Sequence, residues 1–333
     1  LKVKGQRDDG SYEEQGIGVT ALVTTSLLRH GRTPQDPLVA KSLKFLEKHV
    51  REDGGIYSKG SLYRNYETCL SVLCFSEANE DGRYDKTIAN ADKFVKGIQW
   101  DKSEDSDIDR SHESFGGAGY GKHGRPDLSN TAFLIEALKA AGNDADSEAM
   151  QAALVFVSRC QNLETEHNKT KFGPKVNDGG FYYTIAAGGS SQAGPTENGG
   201  LRSYASMTYA GLKSMIYAGV DKDDPRVTAA VGWIKKHYDL DTNAGMGEAD
   251  EAMKTAGLYY YYHTFAKTLH ALGEDEITTA DGKVHNWRQE LIAELASRQQ
   301  ADGSWENTEN DRWQEGHRPL VTGYALLALS YCK

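Results

Sequence analysis

The chain has 333 residues, 38% of them hydrophobic, and sets 38 Lys and Arg against 48 Asp and Glu for a formal net charge of −10. That balance, with no dense Lys/Arg run, excludes a surface built to neutralise phosphates and argues against nucleic acid as a partner. No apolar stretch approaches the ~20 residues needed to cross a bilayer, so no transmembrane segment and a soluble domain are expected. The sequence opens at Leu1 with "LKVKGQRDDGSY", which reads like the end of a helix running into a loop. A shortened first outer helix is therefore expected, and a removed leader would favour an exported, periplasmic bacterial protein.

From there a Gly-rich turn recurs six times: "DDGS" at Asp8, "EDGG" at Glu52, "FGGAG" at Phe115, "NDGG" at Asn177, "NAGMG" at Asn243 and "ADGS" at Ala301. Each is followed by a segment rich in Ala, Leu, Gly and Tyr that carries almost no charge past its first turn. A helix apolar nearly all round must be buried nearly all round, so these are inner helices. A hydroxyl residue recurs in them at one register, Thr20, Thr68, Thr131, Ser206, Thr264 and Thr322, and is expected to face a common axis. Several of these segments run into glycine, at Gly31, Gly142, Gly219 and Gly273, as helix ends do.

Between them lie amphipathic segments from Pro37, Tyr84, Ser147, Asp224 and Asn286, with charge on one face only. Asp36-Pro37 and Asp224-Pro225 are N-cap plus first-turn signals. Alternating fully and half-buried helices close most economically as two concentric rings. The expectation is an all-α fold, an α/α toroid of about six hairpins forming one domain over residues 1–333. Two long turns, 101–125 and 162–200, exceed ordinary connection lengths, are expected to hold no further helix and should share one mouth of the ring. Cys69, Cys74, Cys160 and Cys332 are scattered without a C-x-x-C pair, which indicates neither a disulfide framework nor a zinc knuckle.

Two turns carry a longer signature: "QQADGSW" from Gln299 to Trp305, and "QRDDGSY" from Gln6 to Tyr12 with Tyr in place of Trp. This Q-x-x-D-G-S-W pattern resembles the repeat of the squalene-hopene cyclase and protein prenyltransferase superfamily, and the repeat extends over essentially the whole chain. In that family the glutamine and the aromatic ring tie neighbouring hairpins together. The resemblance also implies where a cyclase would keep its acid, in a D-x-D-D-T-A motif opening an inner helix. "DLSNTA" places Asp127 on the first Asp, Ser129 on the proton donor and Asn130 on its neighbour, with Thr131-Ala132 on the tail. A serine hydroxyl is too weak an acid to protonate an alkene, and Asp127 reads first as an N-cap.

The prenyltransferase zinc site is implied by a D-x-C element and a later Y-H-T. The chain has Tyr262-His263-Thr264 but no D-x-C, so neither zinc nor any other metal or cofactor is expected, and His263 reads as a polar cavity residue. The complement-type thioester sequence Gly-Cys-Gly-Glu-Gln is absent. "DSDIDR" from Asp105 resembles a calcium loop only at its start, since Arg110 and Gly116 replace the required Gly and Glu; His112, Glu113 and His123 do not have H-E-x-x-H spacing.

The starts of the inner helices furnish the mouth, with candidate ligand-binding residues Tyr12, Tyr63, Arg64, Tyr66, Asp127, Asn130, Arg202, Tyr204, Tyr262, His263 and His317. Tyrosine dominates this set, in a chain with 18 Tyr. Such a bowl suits an isoprenoid-type or other hydrophobic ligand whose polar end meets Arg64 or Arg202, without olefin-cyclase or zinc prenyltransferase chemistry. It suits equally a glycan stacked on the rings, in the manner of a polysaccharide lyase, and an inert scaffold that presents its loops to another protein is a third reading.

Overall fold

The computed structural model describes residues 5–14, 16–101, 107–121 and 124–333. Among these residues the regular secondary structure is almost wholly helical. The inner helices are α1 (Gly18–Arg29), α3 (Arg64–Glu77), α5 (Leu128–Ala140), α8 (Ala205–Tyr217), α10 (Leu258–Leu272) and α12 (Arg318–Ser330). Each packs on the next, and α12 packs back on α1, so this set closes into a ring. The outer helices α2 (Pro37–Glu47), α4 (Asp85–Lys96), α6 (Glu148–Arg159), α9 (Pro225–Lys236) and α11 (Trp287–Arg298) sheathe it, each against an inner partner. A short hairpin, β1 (Ile277–Thr278) with β2 (Val284–His285), precedes α11.

Local chemistry explains the helix starts. Asp36 accepts from the Leu38 amide at 3.0 Å and Asp224 from the Arg226 amide at 2.8 Å, each with proline at the next position. At the closing seam Gly323 removes a side chain that would sit 2.3 Å from Leu22 Cδ2, letting α12 approach α1. One expectation needs correction: the 162–200 segment does contain a single helical turn, α7 (Gly173–Val176), opened by Gly173-Pro174.

The turns hold the two rings together. The amide of the residue two after the turn glycine donates to an inner-helix hydroxyl: Tyr12 to Thr20, Ile56 to Thr68, Ala118 to Thr131 and Trp305 to Thr322, all at 2.9–3.1 Å. In α8 the acceptor is Thr208, which receives the Phe181 amide at 3.0 Å, so Ser206 was the wrong register there. Thr264 instead donates to carbonyls of its own helix. The hydroxyls of Thr20, Thr68, Thr131, Thr208 and Thr322 are therefore spent on the turns and that of Thr264 on its own helix, so they are not free to line the axis.

The glutamine of the repeat does the complementary work. Gln6 Nε2 donates to Gly10 O and to Leu38 O of α2; Gln99 donates to Gly116 O and Ala149 O of α6; Gln161 donates to Gly179 O and Arg226 O of α9. One amide thus joins a turn to the first residues of the next outer helix. Among the described residues Gln299 makes only the turn contact, to Gly303 O at 3.0 Å.

The turn glycines press on outer-helix carbonyls. A Cβ at Gly116 would lie 1.8 Å from Ala152 O, whereas one at Gly303 meets nothing within 4 Å, and both have φ near +80°. Gly116→Ala is therefore expected to cost about 3 kcal/mol through clash plus backbone strain, and Gly303→Ala about 1 kcal/mol from strain alone. Urea unfolding midpoints of the two variants measure the difference.

Candidate functional site

The segment Gly124–Gly142 supplies the centre of the mouth. Asp127 caps α5, its carboxylate accepting from the Asn130 amide and from Asn130 Nδ2, both at 2.8 Å. Asn65 of α3 donates to Asn130 Oδ1 at 3.1 Å, tying the two inner helices. The Tyr183 hydroxyl lies close enough to Asp127 to act on its carboxyl, and 3.3 Å from the Tyr120 hydroxyl. Burial pushes the Asp127 carboxyl up to about 6, the bonds from Asn130 and Tyr183 offsetting only part of that penalty.

Ser129 is a hub. Its Oγ receives the Tyr66 hydroxyl at 2.6 Å and lies 2.9 Å from the Tyr260 hydroxyl. Around it runs a continuous series of ring contacts: Tyr63 on Tyr120 (5.4 Å), Tyr120 on Tyr66 (5.7 Å), Tyr66 on Phe133 (5.2 Å), Phe133 on Tyr260 (6.4 Å), Tyr260 on Tyr324 (5.9 Å) and Tyr324 on His263 (5.8 Å). Tyr63 is 55% exposed, Tyr66, Tyr260 and Tyr324 are half-buried, and His263 is buried. The series therefore descends from solvent into the ring.

Below it lies a buried ion triad, Glu136 of α5 between Lys213 of α8 and Lys267 of α10. Burial alone would raise the Glu136 carboxyl, but the two ammonium groups outweigh it and hold the carboxyl far down. Lys213 is lowered by burial despite Glu136, while Glu136 keeps Lys267 raised. His263 is driven well below the usual histidine range by burial and then by Lys267, so it is neutral, and its Nδ1 has no partner.

Of the residues singled out from sequence, the structure gathers Tyr63, Tyr66, Asp127, Asn130 and His263 on or beside this series, and buries Tyr204 as the α8 N-cap position. The others stand apart. Tyr12 packs at the α1–α12 seam. Arg64 lies over the Tyr57 ring, and Arg202 is spent on Glu248 and Pro195 O, so neither arginine meets the mouth as expected. Tyr262 points outward, donating to Leu240 O at 2.6 Å. His317 lines a separate groove of about 970 Å³ with Glu306 and Asn307. His123 and Asp105 lie outside the described residues.

Sequence reasoning missed Ser129 as a hub, Tyr120 and Tyr183 in the long loops, and the triad. A signal for the triad existed, since Glu136, Lys213 and Lys267 are charges inside otherwise apolar inner helices, and buried charges must find one another.

Residues 11–185 match the model of the squalene-hopene cyclase C-terminal domain. The chain belongs to the squalene-hopene cyclase C-terminal domain family. No curated protein matches it. In this family member the matched residues run from α1 to α7 and include the turn clasp of Gln99 and the Asp127–Ala132 segment. Among the described residues no helix is long and apolar enough to cross a membrane.

Two more carboxyls cap helix starts at the rim of this cyclase-family ring. Glu13 accepts from the Val19 and Thr20 amides, and Glu315 accepts from the Tyr259 and Tyr260 amides. Burial raises both to about 7, and Glu67, beside Glu13, is raised as well. Because the folded state binds protons more tightly than the unfolded chain, these groups favour folding below about pH 4. Their contribution falls as pH rises through about 6–7. Stability is expected to fall between pH 5 and 8, and Glu13→Gln should flatten that slope and stabilise at pH 8 by on the order of 1 kcal/mol, read from thermal midpoints across pH.

The triad gives a sharper test. Glu136→Gln strands two buried ammonium groups and should cost about 3–5 kcal/mol, while replacing all three residues by Leu and Met should be neutral or stabilising. Denaturant unfolding of both variants checks this.

Proposed function

We propose that this ring binds a small ligand with an isoprenoid-type or other apolar body on the aromatic series from Tyr63 to Tyr324, and does not run olefin-cyclase or zinc-thiolate chemistry. One observation carries the reading: the hydroxyls of Tyr66, Tyr260, Tyr120 and Tyr183 are engaged with Ser129 and with one another, so the rings offer a ligand their faces. A glycan would need free hydrogen-bonding groups at the same place. The Glu136–Lys213–Lys267 triad sets the depth, since an apolar chain gains nothing against desolvated charge. The apolar body therefore ends near His263.

The same geometry speaks against cyclisation. Ser129 stands where the family resemblance puts the proton donor, and Asp127 is committed to capping α5. The triad places two ammonium groups against one carboxylate under the bowl, which opposes a cationic intermediate. We read the closed ring, from α1 to α12, as the single unit that forms the bowl.

The test is binding of farnesol and farnesyl diphosphate by tyrosine fluorescence and thermal shift, with solvent extraction and mass spectrometry of the purified protein. Saturable binding is expected, weakened about tenfold by joint replacement of Tyr63 and Tyr120 with Ser, exposed positions whose loss leaves the fold intact. No copurifying lipid, no shift with either compound and a positive response to neutral or acidic glycans would instead support the glycan reading.

A further inference from the structure

On the outer flank, where α6 meets the two long loops, lies a cavity of about 270 Å³ whose lining includes Arg110, Ser158, Arg159, Glu166, His167 and Arg226. Three arginines converge there on a chain whose net charge is −10. They are not equivalent. Arg226 is already neutralised, its Nε and Nη2 bonding the Asp224 carboxylate at 2.9 and 2.7 Å and its Nη1 reaching Ser158 Oγ at 3.0 Å. That leaves it 7% exposed, held rigidly by both α6 and its own N-cap.

Arg159, the last residue of α6, bonds only backbone carbonyls, His112 O at 2.8 Å and Arg110 O. Among the described residues no carboxylate forms an ion pair with Arg159 or with Arg110. Burial and then the neighbouring Arg110 charge both oppose the Arg159 cation, and Asp109 offsets them only in part. Glu166, the acid of the lining, is turned to solvent, its carboxylate 3.7 Å from His167 Nε2. A half-buried guanidinium beside a second one, with donors left over and a cavity in front, is an arrangement that an anion completes.

We propose that this cavity is a binding site for the phosphate or sulfate group of a small monoester, gripped by Arg110 and Arg159 against the fixed Arg226–Ser158 wall. Tetrahedral oxyanions suit the planar forks of two arginines. The cavity is several times the ~30 Å³ share of one water, so a bare ion would leave space that an ester's substituent can occupy. Leu154 and Val155 give the ester's substituent an apolar side to lie on. The site lies outside the ring, so it stands whether or not the bowl binds an apolar ligand.

The experiment is calorimetric titration of the full chain, at constant ionic strength, with phenyl phosphate, phenyl sulfate and inorganic phosphate. Saturable binding of at least one ester is expected, with inorganic phosphate about tenfold weaker. Arg110→Glu should abolish ester binding and Arg110→Lys should weaken it about tenfold, both with unchanged thermal midpoints, since the Arg110 side chain supports no described contact of the fold. Arg159→Gln should abolish binding too, and loosens the 110–112 loop besides, so the Arg110 variants decide. No saturable heat with either ester, or the same affinity in Arg110→Glu, overturns the proposal, as does inorganic phosphate binding as tightly as the esters.

Discussion

The structure depends on one amide side chain that satisfies two backbone carbonyls at once. In Gln6, Gln99 and Gln161 the Nε2 group bonds the carbonyl of a turn glycine and a carbonyl in the first turn of the next outer helix. Buried carbonyls and amides must be paired, and a ring of alternating helices generates such groups at every turn. The glutamine meets that demand while fixing the spacing of the rings, and the glycine beside it permits the approach, since any Cβ would strike the same outer helix. An inner-helix threonine then takes the turn's amide, so the turns at Gly10, Gly116 and Gly179 are held from both sides.

How this was legible in the sequence follows from which parts are local. Inner and outer helices read correctly because composition and periodicity act within one segment: "TAFLIEAL" is buried all round, and "PLVAKSLKFLE" is not. Two of the glutamines were visible because four residues separate Gln6 from Gly10 and Gln299 from Gly303. Gln99 and Gln161 were invisible because loops put Gly116 and Gly179 far along the chain, although the clasp they make in space is the same. The register error at Ser206 has a related cause, since Ser206 and Thr208 both carry hydroxyls and only the position of the Phe181 amide separates them.

The mouth was less legible than the fold. Tyr63, Tyr66, Asp127 and Asn130 gather there because helix starts set their place directly. Arg64 and Arg202 begin or precede helices too, yet their long side chains turn away to Tyr57 and Glu248, and nothing local to the sequence dictates that choice. Tyr262 differs from Tyr260 by two positions, roughly 200° around a helix, which carries one hydroxyl to the outer ring and leaves the other at Ser129. A run of four tyrosines fixes that some rings face the axis; the helix phase decides which.

Charge inside the ring falls into two layers. At the rim, Glu13, Asp127 and Glu315 are each bonded to helix amides, so the helix ends are capped by carboxyls that burial drives toward the neutral form. At the floor, Glu136 is ionised because two lysines surround it. A cavity made to generate and guide a carbocation needs the reverse, a strong acid above and negative or π-rich walls with no fixed cation below. Here the walls are aromatic, Ser129 is bonded by the Tyr66 hydroxyl, and the floor carries Lys213 and Lys267. The neutral His263, its Nδ1 unpartnered among the described residues, stands between the aromatic series and that cationic base.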